Sequence, residues 1–115
     1  MRTKFALILA SLALITLTAC TSVPPIGDIP ASIATATTAA DHQRIADHFA
    51  QKAASYDAEA AWHERMAITY TNRPKTDLSA MIAHCRSLRE QFVNAAKDTR
   101  ALEQAHRQLA ASIGK

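Results

Sequence analysis

Residues 38–71 and 77–113 contain neither proline nor glycine, and between them stand Asn72, Arg73 and Pro74, a combination that ends one helix and starts a turn. Both stretches are rich in Ala, Gln, Arg, Glu and Leu, residues that favour helix. At 1.5 Å per residue they predict two helices of about 50 and 55 Å. So short a connection turns the second helix back along the first, and the expected fold is all-α: an antiparallel two-helix hairpin. Thr38 followed by Asp41 is a capping-box pattern with Asp in place of Glu. Thr76 is a second N-cap candidate and Gly114 a stop.

A seven-residue period runs through both stretches. On the a and d line of the first helix it places His42, Ile45, Phe49, Lys52, Tyr56, Glu59, His63, Met66 and Tyr70, flanked every seventh residue by Ala46, Ala53, Ala60 and Ala67. The second helix offers Leu78, Met81, Cys85, Leu88, Phe92, Ala95, Thr99, Leu102, His106, Leu109 and Ile113. Such a period predicts coiled-coil-like packing, with the alanines permitting close approach. Each helix buries apolar surface on one side only, and a chain of this size is marginal alone, so the hairpin is expected to dimerise into a four-helix bundle. With the turn centred on Pro74, residues whose numbers sum to about 148 share a layer in an antiparallel pair. That register sets His42 against His106, Phe49 against Thr99, Tyr56 against Phe92, His63 against Cys85, Met66 against Met81, and Tyr70 against Leu78.

The register gathers ligand-type side chains in two places. Near the turn are His63, Met66, Met81, His84 and Cys85, in which His63 with Met66 and Met81 with His84 form i, i+3 pairs on facing surfaces. Imidazole, thioether and thiolate together suit copper(I) first. Zinc, through His63, His84 and Cys85, ranks second. The second candidate site pairs His42 with His106, with Asp41 or His48 at its margin. A b-type haem, held by His42 and His106 or by His63 residues of two copies, ranks third; the chain has no C-x-x-C-H attachment motif, so covalent haem is excluded. Against these stands plain packing, since Met in a seam fills space and a buried Cys acts as a small hydrophobe. A histidine there is different: its imidazole needs hydrogen-bond partners that Ala, Leu and Phe do not offer. On the plain-packing reading, Glu59 or Tyr56 would supply such a partner for His63.

The N-terminus carries a separate message. Arg2 and Lys4 precede fifteen uncharged, apolar or small residues from Phe5 to Ala19, the shape of an export signal and shorter than the roughly 20 apolar residues of a spanning helix. Leu17, Thr18, Ala19 and Cys20 resemble the lipobox of bacterial lipoproteins. The resemblance implies a signal peptide over 1–19, cleavage after Ala19, diacylglycerol on the Cys20 sulfur and a further acyl chain on the new amino terminus. Two or more chains make a stable anchor. Thr21, where an aspartate would retain a lipoprotein in the inner membrane, implies the outer membrane, facing the periplasm. Residues 20–37 hold Pro24, Pro25, Gly27 and Pro30 and read as a flexible linker, able to hold the hairpin domain 38–115 about 50 Å from the lipid if extended.

Charge and motifs exclude other classes. With Arg2 and Lys4 gone, eleven of the thirteen Lys and Arg remain against ten Asp and Glu, and the formal charge falls from +3 to +1. The basic residues are scattered among acids, so nucleic-acid binding is not expected. Once Cys20 is lipidated, Cys85 is the remaining thiol of an oxidising compartment: buried, ligated, or paired between chains. There is no G-x-S-x-G and no phosphate-binding glycine loop, and the His63–Glu64 start of an H-E-x-x-H pattern ends on Ala67, so no enzyme is expected. The leading functional reading is a periplasmic lipoprotein that sequesters a transition metal; the alternative is a cofactor-free structural or interaction protein of the cell envelope, homodimeric or docking an envelope partner.

Overall fold

Among residues 27–115 less Pro74, which the computed structural model describes, the chain forms three helices and no strand: α1 Ile29–Thr35, α2 Ala39–Thr71 and α3 Ser79–Ile113. The leader, Cys20 and the proline of the turn lie outside the described residues. The two long helices pack along each other as the expected hairpin, and α1 touches α2 alone. No helix among the described residues is long and apolar enough to cross a membrane.

The start of α2 follows from local chemistry. Thr38 Oγ1 accepts the Asp41 N–H at 3.1 Å, and the Asp41 carboxylate accepts the N–H groups of Thr38 at 3.0 Å and Thr37 at 3.2 Å. This is the capping box read from the sequence, and it satisfies amide groups that the first turn leaves without helical partners. The Thr38 hydrogen bonds hold the Asp41 carboxyl at about 2, with the Thr37 amide and Arg44 acting in the same direction. The helix stops at Asn72, whose N–H still reaches the Ile68 carbonyl. Gly114 closes α3 by donating to the Ala110 carbonyl.

Two boundaries differ from expectation. The second long helix begins at Ser79 and not at 77, and Thr76 does not cap it. The Asp77 carboxylate accepts the Ser79 N–H at 3.0 Å, and a charged acceptor makes the stronger bond to a free helix amide. The segment 20–37, expected as a flexible linker, contains the seven-residue helix α1. Pro30 lies in its first turn, where a fixed φ suits a helix and no N–H is needed. The Ser32 and Thr35 hydroxyls donate to the carbonyls of Asp28 and Ala31. None of its residues is buried.

The seam between α2 and α3 corrects the heptad assignment. The buried residues of α2 are Ile45, Ala46, Ala53, Ala60, His63 and Ala67, whereas Lys52 and Glu59 are exposed. The alanines therefore occupy the second seam position that the sequence reading gave to the larger d residues, and the a residues between them are half-buried or buried. In α3 the buried set is Cys85, Ala96, Thr99 and His106, while Met81, Leu102 and Leu109 of the d line are about half exposed. Alanine lets two helix backbones approach closely; of the bulky d residues Ile45 stays buried in the contact, while Met81, Leu102 and Leu109 are turned out of it. Two pairs of the expected layer register are seen: His42 meets His106, and the Tyr56 ring lies 6.1 Å from that of Phe92.

The two long sides of the hairpin are chemically unlike. One is closed by ion pairs between the helices: Asp57 with Arg100, Glu64 with Arg89 at 2.8 Å, and Asp47 with Arg107 at 3.3 Å. All are solvent-exposed and contribute little to stability one by one. The other side carries the displaced d residues of both helices, and there Met66 of α2 lines the same cleft as Met81 and Leu88 of α3.

Candidate functional site

That cleft, of about 490 Å³, lies near the turn and is walled by apolar and sulfur-bearing side chains. The seam brings His63 and Cys85 to its floor, both buried, and the d line places Met66 and Met81 at its rim. His84, one turn from Ala80 on α3, is exposed at its edge. All five residues singled out near the turn thus line one cleft. Trp62, Tyr70, Ala80 and Leu88 complete the wall.

His63 is the unusual member. It is only 7% exposed, its ring stacks on Phe92 at 5.5 Å and 12°, and Trp62 meets it edge-on at 5.0 Å. These contacts occupy its faces and leave its polar edge unserved: Nδ1 is buried without a hydrogen-bond partner. Neither Glu59 nor Tyr56, the expected partners, serves that atom. Its aromatic neighbour across the seam is Phe92, one heptad beyond the layer that it was expected to share with Cys85. Among the described residues no three or more His, Cys, Asp or Glu side chains are grouped to hold a metal ion. A metal in this cleft would therefore depend on the thioethers of Met66 and Met81.

The second candidate pair meets at the far end of the hairpin. His42 Nδ1 and His106 Nδ1 are 3.0 Å apart, a distance at which one nitrogen carries the proton and the other accepts it. His106 also stacks on Phe49, with ring centroids 5.8 Å apart. Burial lowers the pKa of His106 and the neighbouring His42 lowers it further. Of the two marginal donors considered for this pair, Asp41 is already engaged by its capping bonds and by Arg44 at 2.6 Å, and His48 packs edge-on against Phe49.

Trp62 was not singled out by the sequence reading, although it stands four residues before Met66 on the helix face that leads to the cleft. That i, i+4 spacing is the signal that would have found it. The ion-paired side was likewise unassigned, yet Asp57 and Glu64 are seven residues apart, as are Arg100 and Arg107, so its periodicity is written in the sequence too. Comparison with protein-family models, with curated proteins and with solved structures gives no match to this chain. Its function has to be argued from the residues and their geometry.

Proposed function

We propose that this chain is a lipid-anchored protein of the bacterial envelope whose hairpin works by association: two copies join along the open apolar side as a four-helix bundle, which serves as a structural or docking element. The carrying observation is the contrast between the two long sides, one closed by ion pairs and the other left with Met81, Leu102 and Leu109 about half exposed. Aligned apolar residues left in water at helical spacing favour a helical partner. The anchor is supported by the lipobox resemblance of Leu17 to Cys20, and a periplasmic, outer-membrane position by Thr21. No catalytic role is proposed.

The test uses the mature lipoprotein in detergent, sized by sedimentation equilibrium with the micelle density-matched. A dimer at micromolar concentration is expected, and a monomer there would overturn the association. Labelled palmitate should enter the wild-type chain and not Cys20→Ser; equal labelling of both would remove the anchor from the proposal.

A second reading, that the bundle takes up a soft metal ion, rests on the buried, unpartnered Nδ1 of His63 in a cleft shared with Met66, Met81, His84 and Cys85. A thioether- and thiolate-rich set fits copper(I) first. Zinc, which needs three His or Cys donors drawn together, ranks second, and b-type haem at His42 and His106, or between the His63 residues of two copies, third. Elemental analysis and an absorption spectrum of the protein purified from cells decide among them. Stoichiometric copper that disappears in His63→Ala and Cys85→Ala supports the reading. A metal-free protein that refuses copper(I) under reducing conditions, and shows no Soret band, leaves association alone.

A further inference from the structure

The d line of the open side carries two charges that its apolar character does not explain. Lys52 and Glu59 lie on the d line of α2, seven residues apart, and both are exposed. Neither has an ion-pair partner among the described residues, whereas on the opposite side Asp47, Asp57 and Glu64 are each matched to an arginine of α3. The Lys52 ammonium instead leans over the Tyr56 ring, 4.9 Å from its centre. Seven residues of helix separate the two charges by about 10.5 Å, beyond reach of each other within one copy.

We infer that two copies meet about a two-fold axis crossing the helices at the layer of Tyr56 and Phe92, so that Lys52 of each copy pairs with Glu59 of the other. This rests on the reading that the open side associates with a second copy. An axis midway between opposite charges on one line lays each over its complement, which makes the surface self-complementary. The same operation lays Met81 over Leu102 and Leu88 over Ala95 of the second copy, large against large at the ends and large against small nearer the centre. The alternative two-fold, parallel to the helices, sets Lys52 over Ala95 and Glu59 over Leu88, and leaves Glu59 facing an apolar group, which is costly when buried. From Met81 to Leu102 the line runs about 32 Å, and two helices side by side span about 20 Å. The face thus offers on the order of 600 Å² per copy, about 1,200 Å² in total, where stable interfaces begin.

Charge reversal tests the pairing on the mature lipoprotein in detergent, by sedimentation equilibrium over a concentration series. K52E and E59K each turn two attractions into two repulsions, and the dimer dissociation constant of either variant alone should rise about tenfold. Mixed in equal amounts, the two variants restore both pairs in a heterodimer, and the double variant K52E/E59K restores them in a homodimer; both should return to the wild-type constant. Circular dichroism confirms equal helix content, as expected for exposed positions. If the single variants dimerise like wild type, or if neither the mixture nor the double variant recovers, the axis is wrong and the dimer itself stands. A monomeric wild type would instead bring down the association on which this inference rests.

Discussion

Ala53→Leu is the sharpest probe of how the hairpin is closed. Ala53 is 1% exposed and Ala96, one residue away from its partner in the layer register, is fully enclosed. Three added carbons at this point have nowhere to go without separating the helices. Overpacking of a tight contact costs about 1–3 kcal/mol, and in a domain of this size about 2 kcal/mol lowers Tm by about 8–16 °C. The control is the neighbouring change Ala54→Leu, made at an exposed position, where a surface substitution stays within about 0.5 kcal/mol. Thermal melts followed by circular dichroism at 222 nm, at one protein concentration, compare the two. Equal shifts, or a stabilised Ala53→Leu, would refute an alanine-lined seam and return the larger d residues to the core.

Three further outcomes follow from local chemistry. Thr38→Ala removes the hydroxyl that accepts the Asp41 N–H and should cost about 1 kcal/mol in the same melts; no change would mean that this end of α2 frays in solution. The Asp41 carboxyl, held at about 2 against an ordinary 3.8, favours the folded state above the ordinary value, and that contribution fades as the pH falls through about 2. An acid titration should therefore show a limb that Asp41→Asn flattens. His106, whose pKa is lowered by burial and by His42, works in the same direction from another window: its contribution is complete above the ordinary 6.5 and declines as acid charges the unfolded chain first. Wild type should lose Tm between pH 7.5 and 5.0 more steeply than His106→Leu, and a steeper loss in the variant would contradict the assignment.

The large-scale architecture was readable because strong local signals agreed. Proline-free stretches on either side of Asn72 and Pro74, a capping box at Thr38 and a steady heptad all point to one hairpin. At Pro30 the composition of the linker points to extended chain, whereas the residue opens a helix. At the first turn of a helix its missing N–H costs nothing, and Ser32 and Thr35 supply local bonds. At Ser79 the error was one of choosing between acceptors: Thr76 and Asp77 adjoin, and backbone geometry decides which reaches the free amide.

The seam was harder, and the reason links fold to function. Heptad spacing alone cannot say whether the a residues pair with the d residues three positions on or with the alanines four positions on. Size argues for the d line and holds at Ile45, which is buried, but it misleads for the rest of that line, because two helices with no third layer gain most by approaching closely along Ala46, Ala53, Ala60 and Ala67. Closing on the small residues expels the large ones. Met81, Leu102 and Leu109 are half exposed as a direct result of that choice, and so are the two charges that the a and d reading had to place in a core. Lys52 and Glu59 made poor sense as buried residues of a single hairpin. As charges flanking the two-fold axis on a surface that a second copy would cover they become the features that select its orientation. The same alanines that complete the fold within one chain thus create the side through which it is proposed to act, and a substitution that drew the d residues back inward would be expected to weaken both together.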